Sequence, residues 1–278
     1  MPVASTNNPS KNDVVCDEEL LDAINKMTPQ VNENLSISLT LIGDSQMGKL
    51  SKSLDNINLE HCGGMVMSGS SFTDQKFALC DTEYFVPLES PETRWLWAPI
   101  YTNIKSHEIE GTVSRSTILT NIGLQSHRSV SLALDWITQE KKRENTNVSE
   151  VNTVSRGDFM NYLMKVNRNQ LTILVRLRNS GHKIVVVSDP PFFNHFGVSK
   201  FLTPFFYEYF DAFKQIMEAA DIVFYNAAAV FEQEITVPDD YKVRELSEDG
   251  EPDWCHGSEK YYDWLAQKLV TFLKLSSA

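Results

Sequence analysis

Short apolar runs rich in β-branched residues recur along this chain, with helical periodicity between them, and that alternation restricts the fold more than any other feature. The runs are Ile37 to Ile42, which closes on Gly43-Asp44-Ser45, then Gly64 to Met67, Ser116 to Thr120, Lys183 to Asp189 ahead of Pro190-Pro191, and Asp221 to Tyr225. Asp158 to Asn179 carries Phe159, Leu163, Val166, Leu174 and Leu177 near helical spacing, and Pro204 to Ala219 reads as a further helix. From Ser258 to about Leu273, Trp264, Leu265, Leu269 and Phe272 fall on one stripe. Short strands alternating with helices imply parallel strands joined by crossovers. The expectation is an α/β fold, a three-layer α/β/α sandwich around a central, mostly parallel five-stranded sheet.

No internal repeat interrupts this pattern. Residues 1–35 read as an N-terminal extension, with a polar, mobile start and a short helix over Asp17 to Met27. Residues 36–278 read as one domain. Residues 81–111, with Pro91, Trp95, Trp97 and Pro99, read as a long excursion, and Thr138 to Arg156 as a surface loop. A chain of 278 residues that is 42% apolar and 22% charged can bury a sizeable core, which excludes a mostly disordered, collagen-like or coiled-coil protein. The net charge of −12 argues against nucleic acid as a partner, because neutralising phosphates takes clustered Lys and Arg. No apolar run approaches the roughly 18 residues of a membrane span, and no signal peptide is visible. The four cysteines show no CxxC spacing and suit free thiols in a reducing compartment, so the expected location is the cytoplasm.

The turn after the first strand, LTLIGDSQMGKLSKS, supports two incompatible chemistries. Gly43-x-x-x-x-Gly48-Lys49 has the spacing of a phosphate-binding loop, which would make the chain a nucleotide-binding protein. Such a loop needs Ser or Thr at position 50 to hold Mg²⁺, and the chain has Leu50 there, with no DxxG or NKxD downstream. The other reading is a nucleophilic Ser45 at the N-terminus of the next helix, where backbone N–H groups favour a developing anion. A serine hydroxyl needs a base, and the base needs a partner that fixes its tautomer. Asp253-Trp254-Cys255-His256, just ahead of the final helix, offers both: a carboxylate three residues before an imidazole can reach Nδ1 and leave Nε2 for Ser45.

With GDS closing the first strand and DxxH opening the last helix, the sequence resembles the SGNH (GDSL-type) hydrolase superfamily. The resemblance follows the order of elements over about residues 37–273 and is specific at the two ends. It implies a flavodoxin-like α/β/α domain and a Ser45–His256–Asp253 triad. It also implies an oxyanion hole made by the Ser45 N–H with Gly69 and Asn121; Gly63 and Gly64 compete with Gly69, and the usual GxND around the Asn is absent. The implied activity is a serine esterase working through an acyl-enzyme on a carboxylic ester, such as an O-acetylated sugar. The partner is then a small-molecule or carbohydrate ester, with no metal or organic cofactor required. The triad alone does not separate an esterase from an O-acyltransferase.

Plainer readings stand beside these. Ser45 could cap a helix, Asp253 and His256 could form a capping turn, and Asn121 could be a turn former. Asp189 is most simply a strand terminator. Trp95 and Trp97 are candidates for a substrate-facing loop. The aromatics crowded into residues 192–213 read as a helix packed into the core, since Phe206, Phe210 and Phe213 have helical spacing.

Overall fold

A computed structural model of the chain describes residues 38–124, 126, 155–191, 199–231, 237–243, 253 and 256–275. The expected N-terminal extension with its helix, the loop over 138–154 and residues 192–198 lie outside the described residues. Five strands form the central sheet: β1 (Ser38–Gly43), β2 (Cys62–Met65), β5 (Ser116–Thr120), β6 (Lys183–Val187) and β7 (Val223–Tyr225). Their order is β2-β1-β5-β6-β7, and every pairing is parallel. Counted along the chain this is the flavodoxin-like order 2-1-3-4-5. The direction of winding reverses between β1 and β5, so the crevice beyond the carboxyl ends of those two strands is where a ligand site is expected.

The alternation of side chains sorts two cores. Leu39, Leu41, Leu119, Val185 and Val187 face one side, against helices α1 (Ser45–Asn56) and α7 (Glu259–Leu275). Ile42, Ile118, Ile184 and Val186 face the other, against α3 (Pro91–Glu110), α5 (Arg168–Asn179) and α6 (Ser199–Ala219). Successive strand residues point to opposite faces, and both faces are covered, so the strands read as continuous apolar runs. In α1 the buried residues Met47, Leu50 and Leu54 make the inward stripe. Each such side chain contributes roughly 1.5–3 kcal/mol by burial. The described aromatics of α6 also join the core, with Phe206, Tyr209, Phe210 and Phe213 all buried.

Several elements differ from the sequence expectation for local reasons. Residues 81–111 are no loose excursion. A hairpin of β3 (Phe77–Cys80) and β4 (Tyr84–Pro87) leads into the 20-residue α3. Pro91 sits in the first turn, where its missing N–H costs nothing, and Pro99 is carried inside the helix. Gly111, at φ 67°, ends it. The second strand comes two residues early because Gly63 belongs to it. There φ is 90°, and a Cβ would lie 2.3 Å from the Leu41 carbonyl oxygen, an approach that only glycine allows. The single helix expected over 158–179 is two, α4 (Arg156–Val166) and α5, broken at Asn167, whose amide bonds back to the Leu163 carbonyl at 3.0 Å.

Candidate active site

The site grows from the end of β1. A Cβ on Gly43 would lie 2.1 Å from Asn121 Oδ1 and 2.4 Å from Met47 Cγ, so the first position of GDS must be glycine for β1 and the turn after β5 to close together. Asp44 is extended (φ −96°, ψ −159°) and caps α1, its carboxylate accepting the Gln46 N–H at 2.9 Å. With the cap held by Asp44, Ser45 is the first residue of the helix, and its N–H has no acceptor within the helix. The same geometry removes the phosphate-loop reading. Gly48 and Lys49 lie inside α1, and the Gly48 N–H is tied to the Asp44 carbonyl at 3.2 Å, so no loop of free N–H groups remains to cradle a phosphate.

Helices α1 and α7 pack side by side on one face of the sheet, so the segment leading into α7 lies beside the start of α1. Ser45 Oγ is 2.7 Å from His256 Nε2, across 211 residues of sequence. His256 Nδ1 lies 2.8 Å from Asp253 Oδ2 and 3.0 Å from Oδ1, and the His256 backbone N–H donates to Oδ1 at 3.0 Å. An ionised carboxylate only accepts, so Nδ1 carries a hydrogen and Nε2 is the acceptor for the serine hydroxyl. Both His256 and Asp253 are about three-quarters buried, with exposures of 23% and 25%. The cap of α7 falls to Ser258, whose Oγ accepts the Tyr261 N–H at 3.4 Å, leaving His256 outside the helix. Gly257 has to be glycine here, because a Cβ would meet the Tyr261 ring at 2.4 Å. Tyr262 on α7 hydrogen-bonds Gln46 on α1 and locks the two helices together.

Behind the serine lies Asn121, the expected oxyanion donor, in contact with Asp44. Asn121 is 1% exposed; its Nδ2 donates to Asp44 Oδ1 at 2.8 Å, and its Oδ1 accepts the Asp44 N–H at 3.2 Å. Asp189, which follows β6, accepts the Ser126 backbone N–H at 2.9 Å and the Ser126 hydroxyl. Asn121 Nδ2 carries two hydrogens, of which the bond to Asp44 takes one. Burial, reinforced by the charge of Asp189, raises the Asp44 carboxyl to about 6 against the hydrogen bonds of Asn121 and Gln46. Burial likewise raises the Asp189 carboxyl, opposed chiefly by the Ser126 hydrogen bonds.

The other candidates come from other elements. Gly69 opens the short helix α2 (Gly69–Thr73) behind the Ser68 cap, while its competitors Gly63 and Gly64 are strand residues of β2. Trp97 is not substrate-facing: it is 2% exposed, lies 4.3 Å from the Phe85 ring and belongs to the core beneath α3. Trp95 is 70% exposed on α3. The sequence reading missed a cavity of about 550 Å³ lined by Lys49, Lys242, Lys260 and by Gly257 and Ser258, which follow His256 in the chain. Lys49 had drawn notice solely for phosphate binding.

Neither a family model nor a curated protein matches the chain. Among solved structures, it is similar to a mutant form of Axe2, an acetyl-xylooligosaccharide esterase from Geobacillus. The two share 14% identity with a TM-score of 0.40, over 86% of this chain and 93% of that one.

Proposed function

We propose that this chain is a serine ester hydrolase of the SGNH type, in which His256 activates Ser45 and Asp253 orients His256. The observation that carries the reading is the pair of contacts on one imidazole, 2.7 Å to Ser45 Oγ and 2.8 Å to Asp253 Oδ2. These are within the reach a nucleophile, base and orienting acid require. The GDS and DxxH resemblance read from the sequence supports it independently.

In the reaction, Ser45 Oγ attacks the ester carbonyl carbon as its proton passes to His256 Nε2, and Asp253 stabilises the imidazolium that forms. The oxyanion is met by the Ser45 N–H at the start of α1 and, in this proposal, by the Gly69 N–H. Loss of one such donor typically costs roughly 10²–10³ in rate. His256 returns the proton to the leaving alkoxide, the C–O bond breaks, and the alcohol departs from an acyl-enzyme. Water, deprotonated by His256, then releases the acid and restores Ser45. The cavity beside Gly257 is lined mainly by charged groups, among them Lys49, Lys242 and Asp240, with Val243 the apolar exception among its described residues. That lining suits a hydroxyl-rich alcohol such as a sugar better than a lipid chain.

The test is turnover of p-nitrophenyl acetate by wild type and Ser45→Ala. A loss of at least about 10³ is expected, and equal rates refute the proposal.

A further inference from the structure

The nucleophile and its base arrive on separate elements, and apolar packing alone leaves their alignment loose. Helices α1 and α7 pack against each other, and Met47, Leu50 and Leu54 of α1 belong to one apolar core with Leu265, Ala266 and Leu269 of α7. Such packing is non-directional, so a small slide or roll of α7 along α1 changes it little. The contact of Ser45 Oγ with His256 Nε2, at 2.7 Å, tolerates no such movement. A buried polar bond crosses between the two helices close to it. Tyr262 donates its hydroxyl to Gln46 Oε1, and the two residues are 2% and 6% exposed. Gln46 directly follows Ser45, and its own N–H is held by the Asp44 carboxylate at 2.9 Å. Tyr262 lies in the first turn of the helix that His256 precedes. Its ring meets α1 a second time, with Lys49 Nζ 6.0 Å from the ring centroid. At the far end of α1, Asn56 Nδ2 reaches Asp263 Oδ1 at 3.4 Å, an exposed contact too long to fix a register.

We infer that the Gln46–Tyr262 bond sets the register of α7 against α1 and thereby holds the Ser45–His256 contact, which makes Gln46 and Tyr262 positioning residues for the reaction. Its kinetic consequence rests on the proposed hydrolase reading; the register itself does not. If the helices shift, a hydroxyl and an amide oxygen lose this bond where burial leaves solvent little access to replace it, so the bond penalises every register but one. Apolar packing supplies the attraction between the helices, and the polar bond supplies the direction. The reacting atoms respond steeply, since a misplacement of about 1 Å can cost about 10²-fold in rate. Both side chains are buried, and they act through Ser45 and His256 rather than on the ester.

Tyr262→Phe removes the hydroxyl and keeps the ring and its packing. Turnover of p-nitrophenyl acetate should then fall roughly 10- to 100-fold in kcat with KM nearly unchanged. Combining Gln46→Met with Tyr262→Phe removes both partners, so the Tm lost in the single variant should return while kcat stays low. A kcat equal to wild type in Tyr262→Phe, or a kcat that recovers together with Tm in the double variant, assigns the bond a purely structural role and overturns the inference. A second arm needs no substrate. In ¹⁵N-histidine protein held above the imidazole titration range, the nuclear magnetic resonance signal of His256 Nε2 reports whether it accepts the Ser45 hydroxyl, with Ser45→Ala as the unbonded reference. In Tyr262→Phe that signal should move toward its Ser45→Ala position, and an unmoved signal overturns the inference. A wild type without esterase activity fails the hydrolase reading, while the resonance arm still decides the register.

Discussion

Replacing Asp44 by Asn should make the protein more stable at neutral pH, although the residue caps α1 and stands beside the nucleophile. The folded-state carboxyl is raised from 3.8 to about 6, chiefly by burial and then by Asp189. A raised acid binds its proton more tightly in the folded than in the unfolded chain. Its penalty is therefore absent below the unfolded value, grows between about 4 and 6, and is complete above the folded value. The difference of about two units corresponds to about 3 kcal/mol at pH 7.5. Asn keeps an oxygen for the Gln46 N–H and the Asn121 amide, so the cap survives, and about 1 kcal/mol is allowed for rearranged hydrogen bonds. The net gain is about 2 kcal/mol, or a rise in Tm of about 4–8 °C for a domain of this size. Urea denaturation followed by circular dichroism at about pH 4 and 7.5 measures it: the variant should match wild type within about 1 kcal/mol at the lower pH and exceed it at the higher. A variant less stable than wild type at pH 7.5, or a difference independent of pH, refutes the reasoning.

Other outcomes follow from the same geometry. Asp253→Asn should leave the fold intact but lower kcat by about 10³–10⁴, because Nδ1 loses the acceptor that fixes the tautomer; a pH–rate series on the ester substrate measures it. Gly43→Ala should cost about 1–3 kcal/mol in urea denaturation, since its Cβ would meet Asn121 and Met47, and should lower esterase activity with it. Trp97→Ala should cost about 3–5 kcal/mol from the core, whereas Trp95→Ala should stay within about 0.5 kcal/mol of wild type in the same assay.

The parts of this fold legible in the sequence are those fixed by local pattern. Ser116–Thr120 and Lys183–Val187 are β-branched runs buried on both faces, and no alternative element suits them. The contact between Ser45 and His256 was read from the GDS and DxxH motifs and the family they resemble, and it forms because α1, which follows β1, and α7 pack on the same face of the sheet. What the sequence concealed depends on tertiary context. Pro91 and Pro99 signalled a loop, yet one starts a helix and the other is carried within it. Trp97 signalled a substrate-facing loop, yet its helix turns it toward Phe85. Asp189 read most simply as a strand terminator, since its burial arises only when β6 takes its place in the sheet.

The most direct measurement is covalent labelling of the intact protein by a fluorophosphonate, with the modified peptide mapped by mass spectrometry. The account predicts a single adduct on Ser45, absent from Ser45→Ala and formed far more slowly in His256→Gln. An adduct on another residue, or labelling that proceeds equally in Ser45→Ala, would contradict it.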